Sequence, residues 1–392
     1  MMFLHALKKR NPQLIDKAVQ LFRSGHIQPD SYVIDVDAVL NNAQQLKRTA
    51  DQYGIQLYAM TKQIGRNPYL AKRLIDEIGF SGTVCVDYRE ALLFQQLDIK
   101  VSHIGHLVQP PKHLLHKIMQ ASRPEIITVT SIEKAKQISN IAEELGIKQS
   151  IMLKFISPND LFYANQESGF PIEEIAQVYD QVAGLPSIEV SGLTHFPCFL
   201  ANKDGSVSAT ENLETLELAR QKWQQLGGQI SHLNLPSLNC CATLPMLAQF
   251  GATHAEPGHA LTGTTPINRD GEQEETIAML YLSEVSHHYL HDSYCFGGGY
   301  YRRGQLSSVL VFPDETNQSC QEVSVFNDDD TSIDYHLRLK NRWPIGSAVV
   351  AAFRSQVFVT RSEVVLIEGL QTGNPRVIGT WDAQGRLVRN AT

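Results

Sequence analysis

The sequence predicts an α/β protein, a TIM (β/α)8 barrel followed by a second, mostly β domain. Three observations carry this reading. Short β-rich runs alternate with amphipathic helical stretches from Ile55 onward, which implies parallel strands returned by helices. After about residue 270 that rhythm stops and a two-residue apolar alternation replaces it. A doubly wound open sheet would carry a glycine fingerprint after its first strand, and none is present.

Residues 12–24, PQLIDKAVQLFRS, have helical apolar spacing and dominate an N-terminal helical extension over 1–30. The barrel is expected over 31–268. SYVIDV is a strand at its start, and its eight parallel strands follow in IQLYAMTK, TVCVD, VSHIGHLV, PEIITVTS, SIMLKFIS, IEVSGLTHF, ISHLNLPS and ATHAEPG. Helical stretches between them, such as SIEKAKQISNIAEELG and NLETLELARQKWQQLGG, end in the glycine of a helix C-cap. Eight such units in roughly 200 residues match a TIM barrel. The β domain, 269–392, is read from SSVLVF, EVSVF, SAVVAAF, QVFVT and SEVVLIEGL, separated by Gly- and Asp-rich turns.

Composition narrows the class. An apolar fraction of 43% with 19% charged residues suits a soluble chain with a large core. A formal charge of −7 argues against nucleic acid or an anionic membrane as partner. Six cysteines without a CxxC pair favour a reducing compartment over a disulfide framework. The start, MMFLHALKKR, places its charges after a short apolar run, the reverse of a secretory signal. No run approaches the ~18 apolar residues of a membrane span. The expected location is the cytoplasm.

A TIM barrel keeps its reactive groups at the C-terminal ends of its strands. Those ends read Lys62, Asp87, His106, Lys154, His195, then Ser237 with Asn239, then Glu256 with Gly258 and His259. Lys62 is either a snorkelling surface lysine or an amine whose desolvation frees it to attack a carbonyl. His195 is either a core histidine or a flat cover for an aromatic cofactor. Ser237 and Asn239 precede a helical run and serve either as an ordinary cap or as phosphate donors at a helix start.

In this order the motifs resemble the fold-type III pyridoxal-phosphate enzymes, which include alanine racemase and ornithine decarboxylase. The resemblance covers about residues 30–265, and within the family the chain looks most like the YhfX group. SYVIDVDAVLNNAQQL is similar to the family's opening segment, YAMTK to the strand ending in its aldimine lysine, and GLTHF to the strand whose histidine packs near the cofactor. AEPGHALTG combines the Glu-Pro-Gly of the decarboxylase branch with the Gly-x-Ala-Leu-x-Gly of the racemase branch.

The resemblance implies pyridoxal 5'-phosphate held by Lys62 as a Schiff base, with Lys62 then acting as base at the α-carbon of an amino-acid substrate. It implies His195 at the ring, and Gly258, His259, Ser237 and Asn239 toward the phosphate. Arg66 stands roughly where alanine racemases carry a phosphate-contacting tyrosine; otherwise it is a surface cation. Glu256 would face the pyridine nitrogen and keep it protonated, where alanine racemases have an arginine. It also implies a homodimer and, most directly, an amino-acid racemase, with an amino-acid decarboxylase or D-amino-acid lyase as runner-up. A cofactor carrier without turnover is the non-enzyme alternative.

Two departures bear on the second acid or base. SPNDLFYANQESGF replaces the racemase Gly-Met-x-Arg segment, leaving Asp160 and Tyr163 without a firm role. CFGGGYYRRG replaces the racemase Gly-Tyr-Ala-Asp-Gly stretch, so Phe296 stands at the tyrosine position and Cys295, Tyr300 and Tyr301 are the candidates. His254 is expected inside or behind its strand with no chemical role. No metal site is expected: His287 and His291 in SHHYLHD would need a helix to converge, and NDDDTSID lacks the glycine and terminal glutamate of a calcium loop.

Overall fold

The computed structural model describes residues 3–301, 304–313, 319–326 and 334–391. The chain forms two compact units: Leu46–Thr61 with Ala71–Gly258, and Met1–Gln45 with Lys62–Leu70 and His259–Thr392. Strand β1 (Ser31–Asp35) lies in the second.

The first unit is a closed parallel barrel. Its strands are β2 (Gln56–Met60), β3 (Gly82–Cys85), β4 (Val101–Ile104), β5 (Ile126–Val129), β6 (Gln149–Leu153), β7 (Ile188–Thr194), β8 (His232–Asn234) and β9 (His254–Ala255). They neighbour one another in chain order, and β9 closes the ring against β2. All eight expected barrel strands are therefore present. Their sequences read as apolar runs because both faces are covered: every residue of β3, β4 and β5 is buried. Local chemistry starts the helices. Ser131 Oγ accepts from Lys134 N at 3.2 Å to cap helix Ile132–Glu144. Asp87, grouped with the site residues by sequence, caps helix Tyr88–Gln96 through Arg89 N and Glu90 N.

The second unit is built on a ten-stranded sheet. After β1 come β10 (Met279–Tyr289), β11 (Asp292–Phe296), β12 (Ser308–Phe312), β13 (Gln321–Phe326), β14 (His336–Leu339), β15 (Ala348–Ala351), β16 (Glu363–Glu368), β17 (Arg376–Asp382) and β18 (Leu387–Asn390). Their order is β11-β14-β13-β12-β15-β10-β1-β16-β17-β18. SYVID, the strand expected at the start of the barrel domain, is a member of this sheet. SYVID runs antiparallel to β10, Val33 opposite Leu280, and parallel to β16, Val33 opposite Val365. Two N-terminal helices, α1 (Leu4–Arg10) and α2 (Pro12–Arg23), are not a separate extension. Leu7, Leu14 and Val19 share one apolar core with Val33, Leu280, Val350 and Val365.

QVFVT is a 3-10 turn at Val357–Val359, held by Val359 N to Gln356 O and Thr360 N to Val357 O, and not a strand. The glycines of CFGGGYY allow close packing: a Cβ on Gly299 would lie 2.4 Å from Tyr281 Cε2. NDDDTSID, apart from Asp334, lies outside the described residues.

Candidate active site

Glu256 directly follows β9 and is 5% exposed. Its backbone N–H donates to Asn239 Oδ1 at 2.7 Å. Its Oε1 meets His103 Nδ1 at 2.5 Å and Asn234 Nδ2 at 2.8 Å, while His103 Nε2 meets Thr128 Oγ1 at 2.6 Å. The other oxygen, Oε2, is buried and has no hydrogen-bond partner within the protein. Burial works against the charge, but His103 and His106 beside it, with the hydrogen bonds from His103 and Asn234, hold the carboxyl down to about 2. The result is an ionised carboxylate with one oxygen braced and one uncommitted.

Asn239 was expected near a phosphate. Its amide instead spans the loop, donating to Leu235 O at 3.0 Å and Ser237 O at 3.1 Å while accepting from Glu256, so it positions Glu256. The Ser237 hydroxyl donates to Phe199 O at 2.7 Å. The helix that follows, Leu244–Gln249, begins five residues after Asn239 and has only six residues, so neither side chain stands at its start.

His195 and Asp160 form a second buried pair. His195 Nε2 meets Asp160 Oδ2 at 2.7 Å, its Nδ1 accepts from Phe196 N at 2.8 Å, and Thr215 Oγ1 donates to Asp160 Oδ1 at 2.7 Å. Burial works against the Asp160 charge, but these hydrogen bonds and that from Ser157 N hold its carboxyl below the usual carboxylate range. Burial pushes the His195 pKa down against the pull of Asp160. With both nitrogens committed, His195 can wall a ring but is not poised to carry a proton. Its pocket is also lined by His106, Lys154, Thr194 and Phe196. Lys154 is 6% exposed with Nζ 5.2 Å from the centre of the Phe162 ring, and burial lowers its pKa despite Asp160 and Cys198.

In the second unit Lys62 lies in the 3-10 turn Thr61–Ile64 that follows β2. Its Nζ is 5.5 Å from the centre of the Phe358 ring, and the Arg66 guanidinium carbon is 5.4 Å from the same centre. Arg66 is 3% exposed and donates to Gln384 Oε1, so it is no surface cation. His259 Nε2 accepts from Gln63 Nε2 at 3.2 Å and Arg354 Nε at 3.4 Å, and its Nδ1 meets Thr264 Oγ1 at 3.1 Å. Burial first, then Arg354 and Lys62, push the His259 pKa well below its ordinary value. His259 is therefore a neutral ring that accepts from Arg354 and Gln63.

The expected second acids find other settings. Cys295 is fully buried in β11, its thiol pushed up to about 12 by burial. Tyr300 is 7% exposed and packs edge-on against Phe353 at 5.5 Å. His287 lies in β10 stacked on Tyr294 at 4.9 Å, so SHHYLHD is strand and turn.

Sequence reasoning missed His103, Asn234, Thr128 and Arg354. The signal for Asn234 was a polar residue inside an apolar strand, LNLP. His103 sat mid-strand, where a core histidine is the ordinary reading.

A parallel barrel with a braced carboxylate at one strand end and a lysine just after the neighbouring strand defines a class. The chain belongs to the fold-type III pyridoxal-phosphate family, within its YhfX group. The family described as "Alanine racemase, N-terminal domain" matches residues 34–266, and "YhfX-like, C-terminal domain" matches residues 280–377. The chain is 49% identical over 388 residues to the protein YhfX of Escherichia coli (strain K12), covering 99% of this chain and 100% of that one. Among solved structures it resembles alanine racemase of Clostridium difficile 630, at 16% identity and a TM-score of 0.63, covering 90% of this chain and 98% of that one. It also resembles diaminopimelate decarboxylase of Helicobacter pylori complexed with L-lysine, at 15% identity and a TM-score of 0.66, covering 94% and 96%. Among the described residues no helix is long and apolar enough to cross a membrane.

Proposed function

We propose that the chain binds pyridoxal 5'-phosphate and acts at the α-carbon of an amino acid, by racemisation. The observation that carries the cofactor is Glu256 Oε2: a buried, ionised oxygen without a protein partner fits a protonated pyridine nitrogen. When bound, that cofactor supplies an electron sink for the bonds of the substrate α-carbon.

The chain's residues then divide the work. Glu256 holds the proton at the ring nitrogen; Asn234 and His103 fix its carboxylate, and Asn239 fixes its backbone. Met60 N donates to Pro257 O at 3.1 Å, so the turn after Glu256 runs beside the strand that leads into Lys62. Lys62 anchors the cofactor and moves the proton at the α-carbon. His195, held by Asp160, supplies a flat wall. Arg66 and Arg354 supply positive charge toward a phosphate, with Gly258 allowing close backbone approach. Racemisation needs a second proton carrier on the other face. Lys154, a buried amine with lowered pKa, suits that part.

Decarboxylation is the second reading, favoured by Glu256 itself, because a fully protonated ring is the strongest sink. We also propose a cytoplasmic homodimer, following the family resemblance.

The test is direct. Protein loaded with pyridoxal phosphate is expected to turn yellow, with borohydride fixing the chromophore to Lys62. Incubation with single amino acids in heavy water then sorts the reactions. Deuterium at Cα with inversion marks a racemase, and carbon dioxide marks a decarboxylase. A colourless protein that takes up no cofactor refutes the whole reading.

A further inference from the structure

At the opposite, N-terminal end of the barrel strands lies a polar cluster the proposed function does not use. Glu125 precedes β5, His232 opens β8 and His254 opens β9. One donor atom from each lies within 4.8 Å of the other two. Glu125 Oε1 faces His232 Nε2 at 3.3 Å and accepts from Tyr58 Oη at 3.0 Å. The two imidazoles stack at 4.2 Å with 8° between their planes.

The surroundings orient these donors. Ser231 Oγ meets His232 Nδ1 at 3.2 Å, and Thr253 Oγ1 meets His254 Nδ1 at 2.7 Å. Each ring is thus gripped at Nδ1 by the hydroxyl of the residue before it, which leaves Nε2 as the ligand atom. Such outer contacts are what fixes a metal-ligating histidine. His254 Nε2 is buried and has no hydrogen-bond partner within the protein. A buried nitrogen lone pair beside a carboxylate and a second imidazole is an incomplete coordination shell.

We propose that Glu125, His232 and His254 bind one divalent transition metal ion of the zinc class, with water completing a four-coordinate shell. Two imidazoles and one carboxylate suit zinc, cobalt or nickel, whereas calcium and magnesium take oxygen ligands. The rings need only tip and the donors close by about an ångström to reach the ~2.0–2.2 Å of such bonds. The ion would tie β5 to the adjacent pair β8 and β9, neither of which neighbours β5 in the barrel.

The test uses the metal-free, tag-free full-length chain titrated with Co2+ at neutral pH. One equivalent is expected, with the intense visible absorption of four-coordinate cobalt, displaced by Zn2+. His232→Ala and Glu125→Gln are expected to abolish it with the far-UV circular dichroism unchanged. Thr253→Val is expected to weaken it roughly 10- to 100-fold, and His291→Ala, in the other histidine-rich stretch, to leave it intact. Absence of stoichiometric binding by the wild type overturns the proposal. So does a site that survives both His232→Ala and Glu125→Gln, or one lost in His291→Ala.

Discussion

The Glu256 carboxylate and the His103 imidazole meet at 2.5 Å, Oε1 to Nδ1, in the buried interior of the barrel. Thr128 holds the far nitrogen of His103, so the carboxylate is braced from behind and its second oxygen is left to act. Glu256→Gln keeps the shape and removes the charge. Turnover, measured on whichever amino acid exchanges its α-proton, is expected to fall roughly 10²- to 10⁴-fold. Lys62 labelling by borohydride should persist.

The same carboxylate sets an acid limit. Its folded pKa, about 2, lies below the ordinary 4.5. Its contribution to stability is therefore complete above about pH 4.5 and fades as pH falls toward 2. Melting curves of wild type and Glu256→Gln should differ most near neutrality and converge between those values.

Asn239 ties the Glu256 backbone to its own loop through three hydrogen bonds. Asn239→Ala leaves the buried Glu256 N–H without its acceptor, at an expected cost of about 1–3 kcal/mol. A denaturation midpoint shift at unchanged slope would check it. An unaltered midpoint would remove Asn239 from the positioning role.

Asp160→Ala strips the His195 Nε2–H and the Thr215 hydroxyl of one shared acceptor. The expected loss is on the order of 3 kcal/mol, together with weaker cofactor retention on dialysis. Retention equal to wild type would mean that His195 does not wall the cofactor.

The thiols offer a structural count. Of six cysteines only Cys320 is exposed, while Cys85, Cys198, Cys240, Cys241 and Cys295 are buried. Native protein should react with one equivalent of a thiol reagent and with six after unfolding. Cys295→Ala should leave turnover unchanged, because that thiol is fully buried within the second sheet.

The barrel was legible because its strands carry apolar runs and some of its helices, such as those after Asp87 and Ser131, carry their own caps, all local signals. The second sheet was legible only in part. β18 is wholly exposed, so no alternation marked it, and QVFVT had the right pattern but closed into a turn. SYVID read as a strand without revealing its sheet, since pairing with residues 279–282 and 363–367 is not written in its own composition. At the site, Glu256 was visible from its motif. The bracing of Glu256 by Asn239 and His103 was not, because it depends on side chains far apart in the chain. Ser237, Asn239 and His259 were recognised as polar and given phosphate; the structure shows their own hydrogen bonds holding the loops in place.

Strand β1 has a consequence for synthesis. Val33 leaves the ribosome early, yet its partner Val365 is made more than three hundred residues later. The barrel strands are all translated in that interval, so the barrel can close while the N-terminal helices and SYVID still wait. β10 offers a first partner near residue 280, but their apolar faces are not fully covered until the last tenth of the chain emerges, a window in which long-range pairing is exposed to misassembly. A fragment starting at the matched C-terminal domain would lack a central strand and a covering layer of its own sheet. Supplying residues 1–35 in trans is what should make such a fragment soluble.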